Sequence, residues 1–304
     1  VNGWPQAVTQ RLAACRFPAP DTPLACAVSG GPDSLALVAL ARAAGHPVTA
    51  WHVDHGLRPD SAADGPWIAG VLQALDVDVE SVTVRVEPGP NLEERARDAR
   101  YGALPRPVCV AHTADELAET VLANLVRGCG LDGLAPMRTR PGVWRPLLGL
   151  RRADTEAVCA AMGWEPRRDP MNDDPRFLRT RIRHEVVPLL GEVAGRDVVP
   201  LLVRLSTLAG ADADGLDACA AALDPTDCAA LAVAPEALAR RALWRWLQAE
   251  APDDAGHPPS MADVGRVLEV AAGRAVACEV RGGVRVERHR GRLRTRRPAA
   301  PPVA

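Results

Sequence analysis

Two sets of polar residues in this chain have the types and spacing to do chemistry. The first is Ser29-Gly30-Gly31-Pro32-Asp33-Ser34, which lies between an apolar run and a helix-like run. A polyphosphate needs several backbone N–H donors turned into one concavity, and paired glycines let the backbone approach without a side-chain clash. A helix opening at the end of this loop, with Asp33 or Ser34 near its N-cap, brings the positive end of its dipole to the same place. Ser29 and Ser34 offer hydroxyl donors, and Asp33 is placed to hold a magnesium ion bridging phosphates. The spacing fits neither GxxxxGK(S/T) nor GxGxxG, so this is neither a Walker A loop nor a dinucleotide fingerprint.

The second set is His112-Thr113 followed by Asp115, Glu116 and Glu119. On a helix Asp115 and Glu119 share a face at i and i+4. Such a face suits proton transfer, a cation or an amine. The competing structural reading is an acidic first turn that merely complements the helix dipole, with His112 packed at a strand end. A third polar group, His52, Asp54, His55 and Arg58, follows another apolar run.

These residues need a frame, and the hydrophobic periodicity supplies one. LACAVSG, VTAWHVDHG, VDVESVTVRV and PVCVAH read as strands. DSLALVALARAAG, SAADGPWIAGVLQALD, NLEERARDARYGAL and TADELAETVLANLVRG read as the helices between and after them. GVWRPLL adds a further strand and RRADTEAVCAAMGW a helix, before the polar turn region DPMNDDPRF. Strands alternating with helices predict an α/β fold with a doubly wound, Rossmann-like parallel sheet. In such sheets ligands sit beyond the strand C-termini, where all three polar groups fall. Past about Pro200 the chain turns to Ala/Leu helices without strands, then to a basic β-hairpin at Gly282-Gly283. The reading is a catalytic domain over 1–195 and a mostly helical module over 196–304.

Composition excludes several classes. At 47% hydrophobic and 24% charged residues the chain is globular rather than disordered. No apolar run nears the roughly 20 residues that span a bilayer, and the N-terminal stretch has no signal-peptide pattern, so a cytoplasmic protein without membrane contact is expected. The eight cysteines show no CxxC or zinc-type pairing. A net charge of −2 argues against a generic polyanion binder, yet arginines crowd 167–183, and eight more fall between Arg281 and Arg297. Local basic stripes of this kind suit phosphate contacts. The mid-chain helices offer a face through which a homodimer could form.

SGGPDS resembles the PP-loop of ATP pyrophosphatase-like enzymes, which cleave ATP to AMP and pyrophosphate while adenylating a substrate oxygen. Further blocks are similar to the tRNA(Ile)-lysidine synthetase family: WHVDHGLRPDS (51–61), ARDARY (96–101), AHTADELAETVLANLVRGCGLDGLAPM (111–137), WRPLLGLRR (144–152) and DPMNDDPRFLRTRIRHEVVPLL (169–190). The resemblance thus covers about 25–190 in ordered blocks. Three positions depart from the family pattern: Glu116 stands for the second aspartate of HTADD, Thr180 for the asparagine of RNRIR and Met171 for the serine of DPSN.

The resemblance implies ATP and Mg²⁺ as cofactors, with free lysine and the CAU-anticodon isoleucine tRNA as partners. ATP adenylates the C2 carbonyl oxygen of cytidine 34, and the ε-amine of lysine then attacks C2 and expels AMP. An ammonium of pKa about 10.4 must first lose a proton, which falls to Glu116 or Asp115, with Glu119 helping to bind the amino acid or a metal and His112 contacting phosphate. ATP falls to Ser29, Gly30, Gly31, Pro32, Asp33, Ser34, Asp54 and His55. Substrate or tRNA contacts fall to Arg58, Arg97, Arg100, Arg127, Arg179, Arg181 and Arg183, although 179, 181 and 183 do not share one helical face. A flipped anticodon base would be read in the crevice. The alternatives are a PP-loop tRNA thiolase, which needs reactive cysteines, and a binder of nucleotide or tRNA without chemistry.

Overall fold

The computed structural model of the chain describes residues 3–54, 56, 61–85, 92–138, 142–167, 174–250 and 259–297. It divides into two compact units, 1–209 and 210–304.

The first unit opens with α1 (Gln6–Arg11), β1 (Leu24–Ala27), α2 (Pro32–Ala43) and β2 (Val48–Asp54). It continues with α3 (Asp64–Leu72), β3 (Asp78–Thr83), α4 (Leu92–Ala103), β4 (Val108–Cys109) and α5 (Ala114–Val126). Then come α6 (Leu131–Leu134), β5 (Val143–Trp144), α7 (Arg152–Ala161) and α8 (Leu178–Arg181). A π-helical stretch, Ile182–Val186, joins α8 to α9 (Val187–Ala194), and α10 (Val199–Ala220) follows. The division between the units falls inside α10.

The five strands are all parallel, in the order β3-β2-β1-β4-β5. Strand order reverses between β1 and β4, the point at which open α/β sheets leave a crevice beyond their C-termini. Ser29–Ser34 leaves β1 there and His112–Glu119 leaves β4. The topology alone brings the two chemical clusters face to face.

Helix α2 is held centrally because it is apolar all round. Leu35, Ala36, Leu37, Val38, Ala39, Leu40 and Ala41 are each 0% exposed. Its alanines let it lie close to the sheet and to α7, whose Val158 and Cys159 join the same core with Ile68 and Leu72 of α3. Truncating one such leucine to alanine costs about 2–5 kcal/mol. The opposite sheet face is covered through Tyr101, Ala103 and Leu104, which pack on Val53, Val108, Val110 and Val143. The sheet is doubly wound.

The second unit holds the end of α10, then α11 (Cys228–Val233), α12 (Glu236–Glu250), α13 (Met261–Ala271), β6 (Ala277–Val280), β7 (Val284–His289) and β8 (Arg292–Arg296). Its core joins Leu243 and Leu247 of α12, Val264, Val267 and Val270 of α13, and Val284, Val286 and Leu293 of the sheet. The glycine pair does turn a hairpin, but the loop is three residues, since Val280 pairs with Val284, and a third strand follows. The second turn is Arg290-Gly291, at φ 49 and 75. Arginine in a left-handed position where Asn or Asp is usual conceals that turn in the sequence. No described helix is long and apolar enough to cross a membrane.

Candidate active site

The loop after β1 is shaped for close backbone approach. Gly30 sits at φ +83, and a Cβ there would meet Trp67 at 3.1 Å. Gly31, extended at φ −76, ψ 164, is the N-cap of α2, with Pro32 at N1, so the helix starts one residue before Asp33. Proline's missing N–H is no loss at N1. The amides of Asp33 and Ser34 then belong to the first helical turn, whose N–H groups have no intrahelical acceptor. A Cβ on Gly31 would meet only Ser29 Oγ, at 3.6 Å, which leaves the space a phosphate oxygen would take. Ser34, 5% exposed, cinches the loop: its Oγ accepts from the Ser29 N–H at 3.1 Å and donates to the Gly31 carbonyl at 2.9 Å. Its one proton is thereby engaged. The exposed Ser29 hydroxyl is the outward one, 3.3 Å from Ser34 Oγ.

Asp33 faces Thr155 of α7. The Thr155 hydroxyl lies against Asp33 Oδ1 and against the Arg152 carbonyl, the latter at 2.8 Å, so its single proton serves two acceptors. Burial pushes the Asp33 carboxyl up, against the Thr155 bond and the charge of Arg152.

Across the crevice α5 presents its carboxylates to the start of α7. Asp115 accepts Arg151 Nη2 at 2.8 Å and the Arg152 N–H at 2.7 Å. Burial pulls its carboxyl upward, but these bonds and the charges of Arg151 and Arg152 outweigh it and hold Asp115 below the usual aspartate range. Glu119, 2% exposed, accepts from Arg152 Nη2 at 3.3 Å and from Arg183 at 2.8 and 3.0 Å. Glu116 lies between them and differs. Among the described residues its Oε2 accepts only the Thr113 N–H, at 3.4 Å, in a loose capping box whose Thr113 hydroxyl finds no hydrogen-bond partner there. Burial pushes the Glu116 carboxyl up; Arg179 and Arg152 oppose this, while Asp33 and Glu119 add to it. Glu116 is therefore tied more loosely than Asp115 and Glu119, and against Asp115 it is the one biased toward holding a proton. His112 Nδ1 accepts Arg145 Nε at 3.1 Å, which places the ring proton of the neutral form on Nε2.

The structure therefore brings Ser29–Ser34, Asp33, His112, Asp115, Glu116 and Glu119 to one crevice. Arg179 and Arg183 face α5, Arg179 donating to Thr120 Oγ1 at 3.2 Å. Arg181 points outward to Glu185 at 2.8 Å. Arg127 caps the far end of α5, about 16 Å along the helix from Glu116 at 1.5 Å per residue, and so lies apart from the carboxylates. Arg100 lies over the Tyr101 ring at 5.9 Å, and Asp54 accepts the Gly56 N–H at 2.8 Å. His55, Arg58, Met171 and the side chain of Arg97 lie outside the described residues. Thr180 is buried at 6%.

Arg151, Arg152 and Thr155 were not foreseen as site residues. One signal was present: two arginines at a helix start oppose the helix dipole, and at that position a carboxylate partner is what makes them stable.

A PP-loop domain model matches residues 5–190, the stretch that holds β1–β5 and every residue of the crevice, so the class is a PP-loop protein. The chain is 46% identical over 236 residues, 73% of each chain, to the tRNA(Ile)-lysidine synthase of Mycolicibacterium paratuberculosis. To that of Nocardia farcinica it is 40% identical over 310 aligned positions, 92% of this chain and 93% of the relative. The chain belongs to the tRNA(Ile)-lysidine synthase family. Among solved structures, the U34-tRNA thiolase NcsA from Methanococcus maripaludis superposes with a TM-score of 0.49 at 15% identity, over 66% of this chain and 78% of that one.

Proposed function

We propose that this chain, an ATP-dependent ligase of the tRNA(Ile)-lysidine synthase family, joins lysine to C2 of cytidine 34 in the CAU-anticodon isoleucine tRNA through an adenylated base. The observation that carries this reading is the crevice itself, where a phosphate loop and a partly paired acidic helix face each other at the sheet's switch point. Free amides of the loop and of the α2 N-terminus cradle the triphosphate. They stabilise charge on the α-phosphate and on leaving pyrophosphate, where electrostatic preorganisation matters most.

A nucleotide-borne Mg²⁺ needs one or two carboxylates. Asp33 fits that need, because among the described residues only its Oδ1 is engaged, by Thr155. The ion would neutralise phosphate charge. Among the described residues no cluster of three or more acidic, histidine or cysteine ligands stands ready as a resident metal site.

Glu116 receives the proton of the lysine ammonium. A carboxylate desolvated and biased toward protonation is the better base, and Asp115, clamped and held low, is the poorer one. Glu119 positions Arg152 and Arg183 rather than touching substrate. The thiolase alternative gains no nucleophile from Cys159, which lies beside the loop with Sγ 3.4 Å from the Pro32 carbonyl and has its thiol pushed up to about 12 by burial. A thiol is nucleophilic only as thiolate.

We assign tRNA gripping to the second unit. All eight arginines from Arg281 to Arg297 are exposed, and Arg285 pairs directly with Arg296 across strands. Like charges so placed are destabilising, and Glu287 offsets this only at Arg296 among the described residues, so a phosphate would add to the relief.

The deciding experiment is incorporation of labelled lysine into a CAU-anticodon isoleucine tRNA transcript with ATP and Mg²⁺, against a C34→U transcript. Incorporation into the first alone supports the reaction. ATP consumption without incorporation points to another acceptor, and neither signal points to a binder without chemistry.

A further inference from the structure

One backbone hydrogen bond reaches the phosphate loop from far along the chain: the Arg167 N–H donates to the Gly30 carbonyl at 3.0 Å. The C=O and N–H of a planar trans peptide point in opposite directions. Drawing the Gly30 oxygen toward Arg167 therefore turns the Gly31 N–H the other way, and that N–H finds no acceptor among the described residues. It is a donor aimed by its neighbour's carbonyl.

Arg167 is itself anchored twice. Its guanidinium pairs with Asp64, whose side chain is 6% exposed, and lies 5.0 Å over the Trp67 ring. Trp67 is the residue that a Cβ on Gly30 would meet. Arg167, Trp67 and Gly30 thus close a ring around the loop, with Asp64 at the head of α3 holding the charge.

We propose that Arg167 is a positioning residue for ATP: it fixes the Gly30–Gly31 peptide so that the Gly31 N–H faces the phosphates. This rests on reading the loop as the ATP site. A merely structural Arg167–Asp64 pair would tie residues 163–167 to α3 and affect stability alone.

The test compares the wild type with Arg167→Ala and Arg167→Lys. Direct titration with a non-hydrolysable ATP analogue is set beside KM for ATP, KM for lysine and kcat. Arg167→Ala weakens analogue binding and raises KM for ATP by about tenfold, equivalent to about 1.4 kcal/mol, while KM for lysine stays within about twofold. Arg167→Lys keeps the charge without the planar stack and falls between. Wild-type analogue affinity in folded Arg167→Ala overturns the proposal, as does a parallel rise in both KM values. If the alanine variant does not fold, Arg167→Lys and Asp64→Asn decide by the same titration. Should the wild type fail to incorporate lysine, the functional reading falls, and analogue affinity still decides the role of Arg167.

Discussion

Arg183 grips Glu119 at two points, Nε to Oε1 at 2.8 Å and Nη2 to Oε2 at 3.0 Å. The Glu119 side chain is 3% exposed, and Arg152 is its second partner. Breaking a buried pair from one side leaves an uncompensated charge, at a cost of about 3–5 kcal/mol. Glu119→Gln should approach that loss in urea unfolding, because two arginines then face a neutral amide. Arg183→Ala should fall at the low end, since Arg152 remains. A Glu119→Gln protein of wild-type stability but without lysine incorporation would instead make Glu119 a substrate contact.

Neighbouring acids on α5 should respond to pH in opposite senses. Asp115 is held low by Arg151 and Arg152 despite its burial, so its contribution to stability is present above the ordinary aspartate range and lost as pH falls through the depressed value. Glu116 is pushed up by burial, so its contribution is present below the ordinary glutamate pKa of about 4.3 and lost as pH rises through the raised value. At neutral pH Asp115→Asn should therefore lower the melting temperature, and Glu116→Gln should hold or raise it while abolishing lysine incorporation. Melting curves from pH 4 to 8 check both. A Glu116→Gln protein that melts lower at pH 7 would mean its charge is satisfied by a partner in solution.

The two loop glycines separate folding from binding. Gly30 needs its left-handed φ of +83 and has Trp67 at 3.1 Å, so Gly30→Ala should cost stability of about 1–2 kcal/mol for the backbone alone. Gly31 has an ordinary extended φ and an open Cβ direction. Gly31→Ala should melt with the wild type and fail to bind an ATP analogue, because the methyl occupies phosphate space. Normal analogue binding by Gly31→Ala would place the phosphates elsewhere.

The clusters that chemistry needs were legible because each is local: glycines, serines and carboxylates at fixed spacing after apolar runs. Their partners were not, because Arg151 meets Asp115 across 36 residues and Arg167 meets Asp64 across 103, and no periodicity encodes such pairings. The helix start moved forward because Pro32 fixes φ and suits N1, which outweighs the capping preference of Asp33 or Ser34. Arg179 and Arg183 face α5 as i and i+4 do on any helix, with Arg181 turned outward, whereas the π-helical stretch at Ile182–Val186 leaves no mark in composition. Strand β8 has one buried apolar residue, Leu293, too few for alternation to announce it.

The arginine stripe makes the last prediction. Pairing of Arg285 with Arg296 is partly relieved by Glu287, which holds Arg296 at 3.0 Å, and Arg292 is drawn to Asp224. Arg294 lies opposite Glu287 in register, and Arg285 and Arg288 are exposed on opposite faces of β7. Phosphate binding releases counterions, so log Kd should vary with log salt by about 0.7 to 0.9 per contact. Arg285→Gln and Arg288→Gln should each reduce that slope by nearly one contact, weaken tRNA binding at low salt and leave KM for ATP unchanged. Glu287→Gln should act oppositely, freeing Arg296 and tightening tRNA binding at low salt. Filter binding across a salt series separates the cases, and a flat profile in the wild type would remove the stripe from tRNA recognition.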